Sequence, residues 1–134
     1  MAELLVPISP GELIDKITIL EIKSSRMSDE AKLHNVRTEL TLLNETWTAS
    51  AFSRQADIGA EWAGLREVNG QLWDIEDEIR DKERAGEFDA RFIELARAVY
   101  VTNDERAAIK RRINTRLGSV LVEEKSYKDY RKSV

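Results

Sequence analysis

Glu12, Asp15 and Lys16 fall three and four residues apart, so on a helix they share one face and set two carboxylates beside an ammonium. Such a set can hold a cation or polarise a ligand, although a capping glutamate with a solvated Glu–Lys pair has the same spacing. Near the other end, Asn103, Asp104, Arg106 and Lys110 begin a second polar run. If a helix starts there, its free N–H groups followed by two cations one turn apart can receive a phosphate or a carboxylate. Acids in a first turn and bases further along also simply favour the helix dipole. The two clusters are expected to form one ligand cleft if the fold brings them together.

A third acidic run, Asp74 to Asp81, includes Glu78 and Asp81, which satisfy half of the paired-carboxylate pattern that chelates magnesium on facing helices. No second pair of acids at matching spacing accompanies it, so a solvated outer helix face is expected. The chain has no cysteine and one histidine, His34, which removes the usual ligands of a structural zinc site. No metal site, cofactor or catalytic residue is assigned. Gly-rich phosphate loops and nucleophile elbows are also missing from the sequence.

The elements that must position these residues are helices. The composition is 42% hydrophobic and 34% charged with only 6 Gly and 2 Pro, the profile of a helix-rich chain, and 134 residues suit a single domain over 1–134. Ser9-Pro10-Gly11-Glu12 has the form of a capping box that starts a first helix. Its apolar run Ile17 to Ile22 is β-branched enough to fit a strand as well. Leu33, Val36, Leu40, Leu43 and Trp47 then form a heptad seam, and Ile58, Leu65, Leu72 and Ile79 form another, with Val68 and Ile75 between. These two helices are expected to pair as a long antiparallel hairpin, part of which projects.

Gly86 suits the end of the third helix, and a fourth reads from Asp89. Thr102-Asn103-Asp104-Glu105 reads as another capping box, predicting a fifth helix that Gly118 stops. The expected class is therefore all-α, a bundle of about five helices with a coiled-coil-like hairpin. Trp47, Trp62 and Trp73 are read as core or interface anchors rather than a sugar-stacking platform.

Charge is unevenly spread: residues 1–105 hold 12 basic and 22 acidic side chains, and residues 106–134 hold 9 and 3. A basic tail from about residue 119 is either docked or loose. Nucleic-acid binding through that quarter is the weakest functional expectation, because the whole chain is acidic. With no secretory signal and no apolar stretch near 20 residues, a cytoplasmic protein with no membrane contact is expected.

The stretches Pro7 to Lys23, Asn35-Val36-Arg37 and Thr102 to Asn114 resemble a bacterial and phage family classed as a domain of unknown function, over nearly the whole chain. The resemblance implies standalone proteins or modules joined to glycosyltransferase-like or repeat proteins, hence an accessory role near surface-polysaccharide synthesis. It carries over no catalytic residue. The leading functional expectation is a self-associating interaction or scaffold module, a homo-oligomer such as a dimer, with a glycosyltransferase as a possible protein partner. The alternative is a small enzyme or ligand-binding domain for a phosphorylated or nucleotide-sugar substrate.

Overall fold

The computed structural model describes residues 3–131, so the ends of the 1–134 domain expectation lie outside the described residues. It contains α1 (Pro10–Arg26), α2 (Glu30–Ala49), a short 3₁₀ turn (Ala51–Arg54), α3 (Gly59–Ala85) and α4 (Ala90–Arg116), with no strand among the described residues. The all-α class holds, and Ile17 to Ile22 is helix.

Local chemistry sets most boundaries. The Ser9 side chain accepts from the Glu12 amide at 3.2 Å and Pro10 takes the first helical position, which fixes the start of α1. Asp29 and Asp89 cap α2 and α4 in the same way. Asp57 accepts from the Gly59 amide at 2.8 Å at the head of α3. Gly86 and Gly118 stand at φ 68° and 67°, a left-handed turn that an L side chain resists, and they stop α3 and α4.

Two expectations about connectivity are corrected. The described residues contain four α-helices rather than five, because α4 runs unbroken through Thr102–Glu105. Phe92, Leu95, Val99, Thr102, Arg106, Ile109 and Ile113 follow one another at steps of three and four, and no Gly or Pro interrupts them. Thr102 is buried on that stripe, so continuity of the seam outweighs a local capping signal. The long hairpin also forms between different partners. α3 lies antiparallel along α4, as contacts from Glu61 to Arg116 at one end and Glu78 to Arg91 at the other require. α2 instead packs on α1, burying Leu33 and Val36, and meets α3 through Trp47 and Trp62, edge-on at 5.9 Å. The nearly all-round apolar surface of α1 decides this, since it has faces for α2, α3 and α4 at once.

The core sits at the proximal end, where α1 crosses the α3–α4 pair. Ile14, Ile17, Leu65 and Ile113 have no exposed surface, and Leu13, Val68, Ile109 and Leu117 close around them. Burial of each such side chain contributes about 1.5–3 kcal/mol. Beyond this core the α3–α4 pair continues as an arm. From Gly70 to Glu94 no residue is fully buried. Leu72, Ile75, Ile79 and Phe92 are half covered by the facing helix, and the tip is closed by Lys82, which reaches Glu87 at 3.0 Å and Asp89 at 2.9 Å.

Candidate functional site

The polar residues of α1 face α4 because Gly11 lets the two backbones meet. A Cβ at Gly11 would stand 2.5 Å from the Lys110 carbonyl oxygen and 2.9 Å from Asn114 Oδ1. In the room left, the Gly11 amide donates to Asn114 Oδ1 at 2.7 Å. One first-turn N–H of α1 is therefore satisfied by α4 itself.

One turn further on, Asp15 is 1% exposed and lies between α3 and α4. Arg106 donates from Nε to Oδ1 at 2.8 Å and from Nη2 to Oδ2, a two-point grip on the carboxylate. Asn69 of α3 donates from Nδ2 to Asp15 Oδ1 at 2.9 Å and to Thr18 Oγ1 at 3.0 Å. Thr18 passes its own hydrogen to the Asp15 carbonyl at 2.8 Å. Burial pushes the Asp15 carboxyl up, but the Arg106 and Asn69 hydrogen bonds and the charges of Arg106 and Lys110 outweigh it, so its pKa falls below the ordinary aspartate value. The Asp15 hydrogen bond in turn raises Arg106.

Beside this pair, Lys110 reaches Glu12 at 2.7 Å and Glu123 at 3.0 Å. Burial lowers Lys110, and the bonds to both carboxylates reverse that into a net rise. Glu123 belongs to the segment after Gly118, which follows α4 back through an Arg111–Glu124 pair and a Tyr100–Tyr130 contact at 5.0 Å.

The fold thus joins four of the seven candidate residues, Glu12, Asp15, Arg106 and Lys110, into one cluster. Their charges are spent largely on each other, as an internal lock across α1, α3 and α4. Lys16 is exposed and makes no ion pair among the described residues. Asp104 is exposed and lines a hollow of about 620 Å³ under the C-terminal segment. Asn103 is half-buried and also opens onto a groove of about 470 Å³, whose walls come from Ile19 of α1, Leu72, Trp73, Glu76 and Asp77 of α3, and Arg106 of α4, with Asn69 at its floor.

Asn69, Thr18, Asn114 and Gly11 escape a reading of the sequence by charge. An uncharged amide at position 69, flanked by the seam residues Leu65, Val68 and Leu72, is the one signal that could have exposed the lock. Three acids of the α3 run are paired, Asp74 with Arg26 at 2.5 Å, Glu76 with Arg80 at 3.1 Å and Glu78 with Arg91 at 2.6 Å, while Asp77 and Asp81 make no ion pair among the described residues. Among the described residues no group of three or more His, Cys, Asp or Glu side chains could hold a metal ion. No helix of the described residues is long and apolar enough to cross a membrane.

A family model described as a family of unknown function, DUF6165, matches residues 4–132. The chain belongs to that family. The match takes in all four helices of this DUF6165 chain, the lock and the arm alike. No curated protein and no solved structure matches it.

Proposed function

We propose that this protein is a helical interaction module whose α3–α4 arm pairs with the arm of a second copy. The observation that carries the reading is the thinly covered arm: between Gly70 and Glu94 no residue is fully buried, and Leu72, Ile75 and Ile79, at three-and-four spacing, are only half covered by the facing helix. Phe88 and Ile93 are 60% and 57% exposed on the same stretch. Past Gly70, α3 extends roughly 24 Å at 1.5 Å per residue. A second hairpin laid along it converts two helices into four and covers what neither copy covers alone.

The lock gives the arm its direction. Asp15 binds α4 through Arg106 and α3 through Asn69, so both helices of the hairpin leave the core from a fixed position. Nucleic-acid binding ranks lower, because Lys110, Arg111 and Arg116 of the basic quarter each pair with a glutamate of this chain.

Sedimentation velocity over a dilution series in the micromolar range tests the reading. A concentration-dependent dimer supports it. A strict monomer throughout overturns self-association and leaves a different protein as the arm's partner.

A further inference from the structure

We infer that the groove between α1, α3 and α4 is a binding site for a neutral sugar unit. The groove sits at the base of the arm, where Leu72, Trp73, Glu76 and Asp77 belong to both, but the inference does not need the arms to pair and rests on how the lock is wired. Asn69 is 6% exposed, and its Nδ2 serves both Asp15 and Thr18. The amide nitrogen is thus spent on the lock, and Oδ1, with no donor among the described residues, belongs to a side chain that lines the groove. Arg106 is the complement. Its Nε and Nη2 are held by Asp15, and Nη1, with no acceptor among the described residues, belongs to a side chain lining the same groove. Buried Asp15 therefore holds both side chains in place from within, which lowers the ordering cost of binding at the groove.

The surroundings select the ligand. Asn103 adds an amide that both donates and accepts, and Glu76 and Asp77 add acceptors at the rim. Leu72, Ile19 and the Trp73 indole, over which the Arg26 guanidinium lies at 5.8 Å, supply the apolar wall. A phosphate is disfavoured, because Arg106 is already neutralised by Asp15 and the groove also carries the carboxylates of Glu76 and Asp77. A cation meets the Arg106 guanidinium. A flat base offers its donors and acceptors in one plane along an edge, whereas here they come from two helices, α3 and α4. A pyranose carries hydroxyls that each donate and accept, radiating around a ring with an apolar face for the indole, and a site that hydrogen-bonds each hydroxyl rejects analogues lacking them. A volume of about 470 Å³ falls within the range of small-molecule sites.

The test is a titration of ¹⁵N-labelled full-length protein with glucose, galactose, N-acetylglucosamine and maltose, with adenosine and inorganic phosphate as competing chemistries. Saturable shifts of the Trp73 indole and Asn103 side-chain signals by at least one sugar, with the Trp47 and Trp62 indoles unmoved, are the expected result. Asn103→Ala, a half-exposed position outside the lock, should weaken that binding about tenfold while leaving the melting temperature and sedimentation unchanged. The inference is overturned if no sugar gives a saturable shift at Trp73, if adenosine or phosphate moves these signals instead, or if Asn103→Ala binds as wild type does.

Discussion

Arg106 grips Asp15 from 91 residues away in sequence, and the carboxylate it holds is the most deeply buried charge among the ion pairs described. A pair of this kind gives little net stability, since desolvation offsets much of the attraction, but removing one partner leaves the other charge stranded. It fixes which faces of α1, α3 and α4 meet.

Asp15→Ala is therefore expected to destabilise the fold by about 3 kcal/mol, the low end of the range for a broken buried pair, because Arg106 keeps partial access to water. Asp15→Leu combined with Arg106→Met should recover most of the loss. Urea unfolding measures both, and a loss below about 1 kcal/mol for Asp15→Ala would place the pair among weak surface bridges.

Gly11→Ala puts a methyl against backbone at the α1–α4 crossing and should lose about 1–3 kcal/mol. Gly70→Ala meets only the end of Arg26 at 3.8 Å and should gain up to about 1 kcal/mol from helix propensity. Thermal melts of the two variants should move in opposite directions. A shared direction would refute the close approach.

The pH dependence follows from Asp15, whose folded pKa is depressed. Its contribution is complete above the unfolded value of about 3.9 and is lost as pH falls through the lower folded value. Lys110, raised in the fold, contributes fully below about 10.4 and loses that contribution as pH climbs through its folded value. Stability should thus be flat between these limits. In Asp15→Asn the acid limb should flatten, and an unchanged limb would assign acid unfolding to other carboxylates.

The continuity of α4 has its own test. Were Thr102 an N-cap, Thr102→Val would cost about 1 kcal/mol. As a buried seam residue it should tolerate the change with no loss of stability, measured by the same unfolding curves.

Much of the fold was legible because helix ends are local events. Ser9, Asp89, Gly86 and Gly118 act within a turn of themselves, and the seams of α2 and α3 follow directly from spacing. Which seam meets which is non-local. The α2 and α3 stripes match each other on paper, but α1 offers α2 a closer apolar face, and α3 finds α4 through a turn of a few residues at Gly86. The break expected at Thr102 fails for the same reason, since a capping signal is weak beside a stripe that stays buried on both sides of it. Within the site, charge spacing found Glu12, Asp15, Arg106 and Lys110. It could not find Asn69, whose importance comes only from facing Asp15 of α1 from its place on α3.

The arm is the feature on which the proposed function depends, and the absence of cysteine allows one label to be placed on it. Arg84→Cys, exposed near the tip, carries a nitroxide for pulsed dipolar spectroscopy on the full-length protein. If arms pair, labels on separate copies should give a single narrow distance peak that strengthens with concentration and disappears in Phe88→Lys/Ile93→Lys. No dipolar signal between copies, or one that the double variant leaves untouched, would contradict the account.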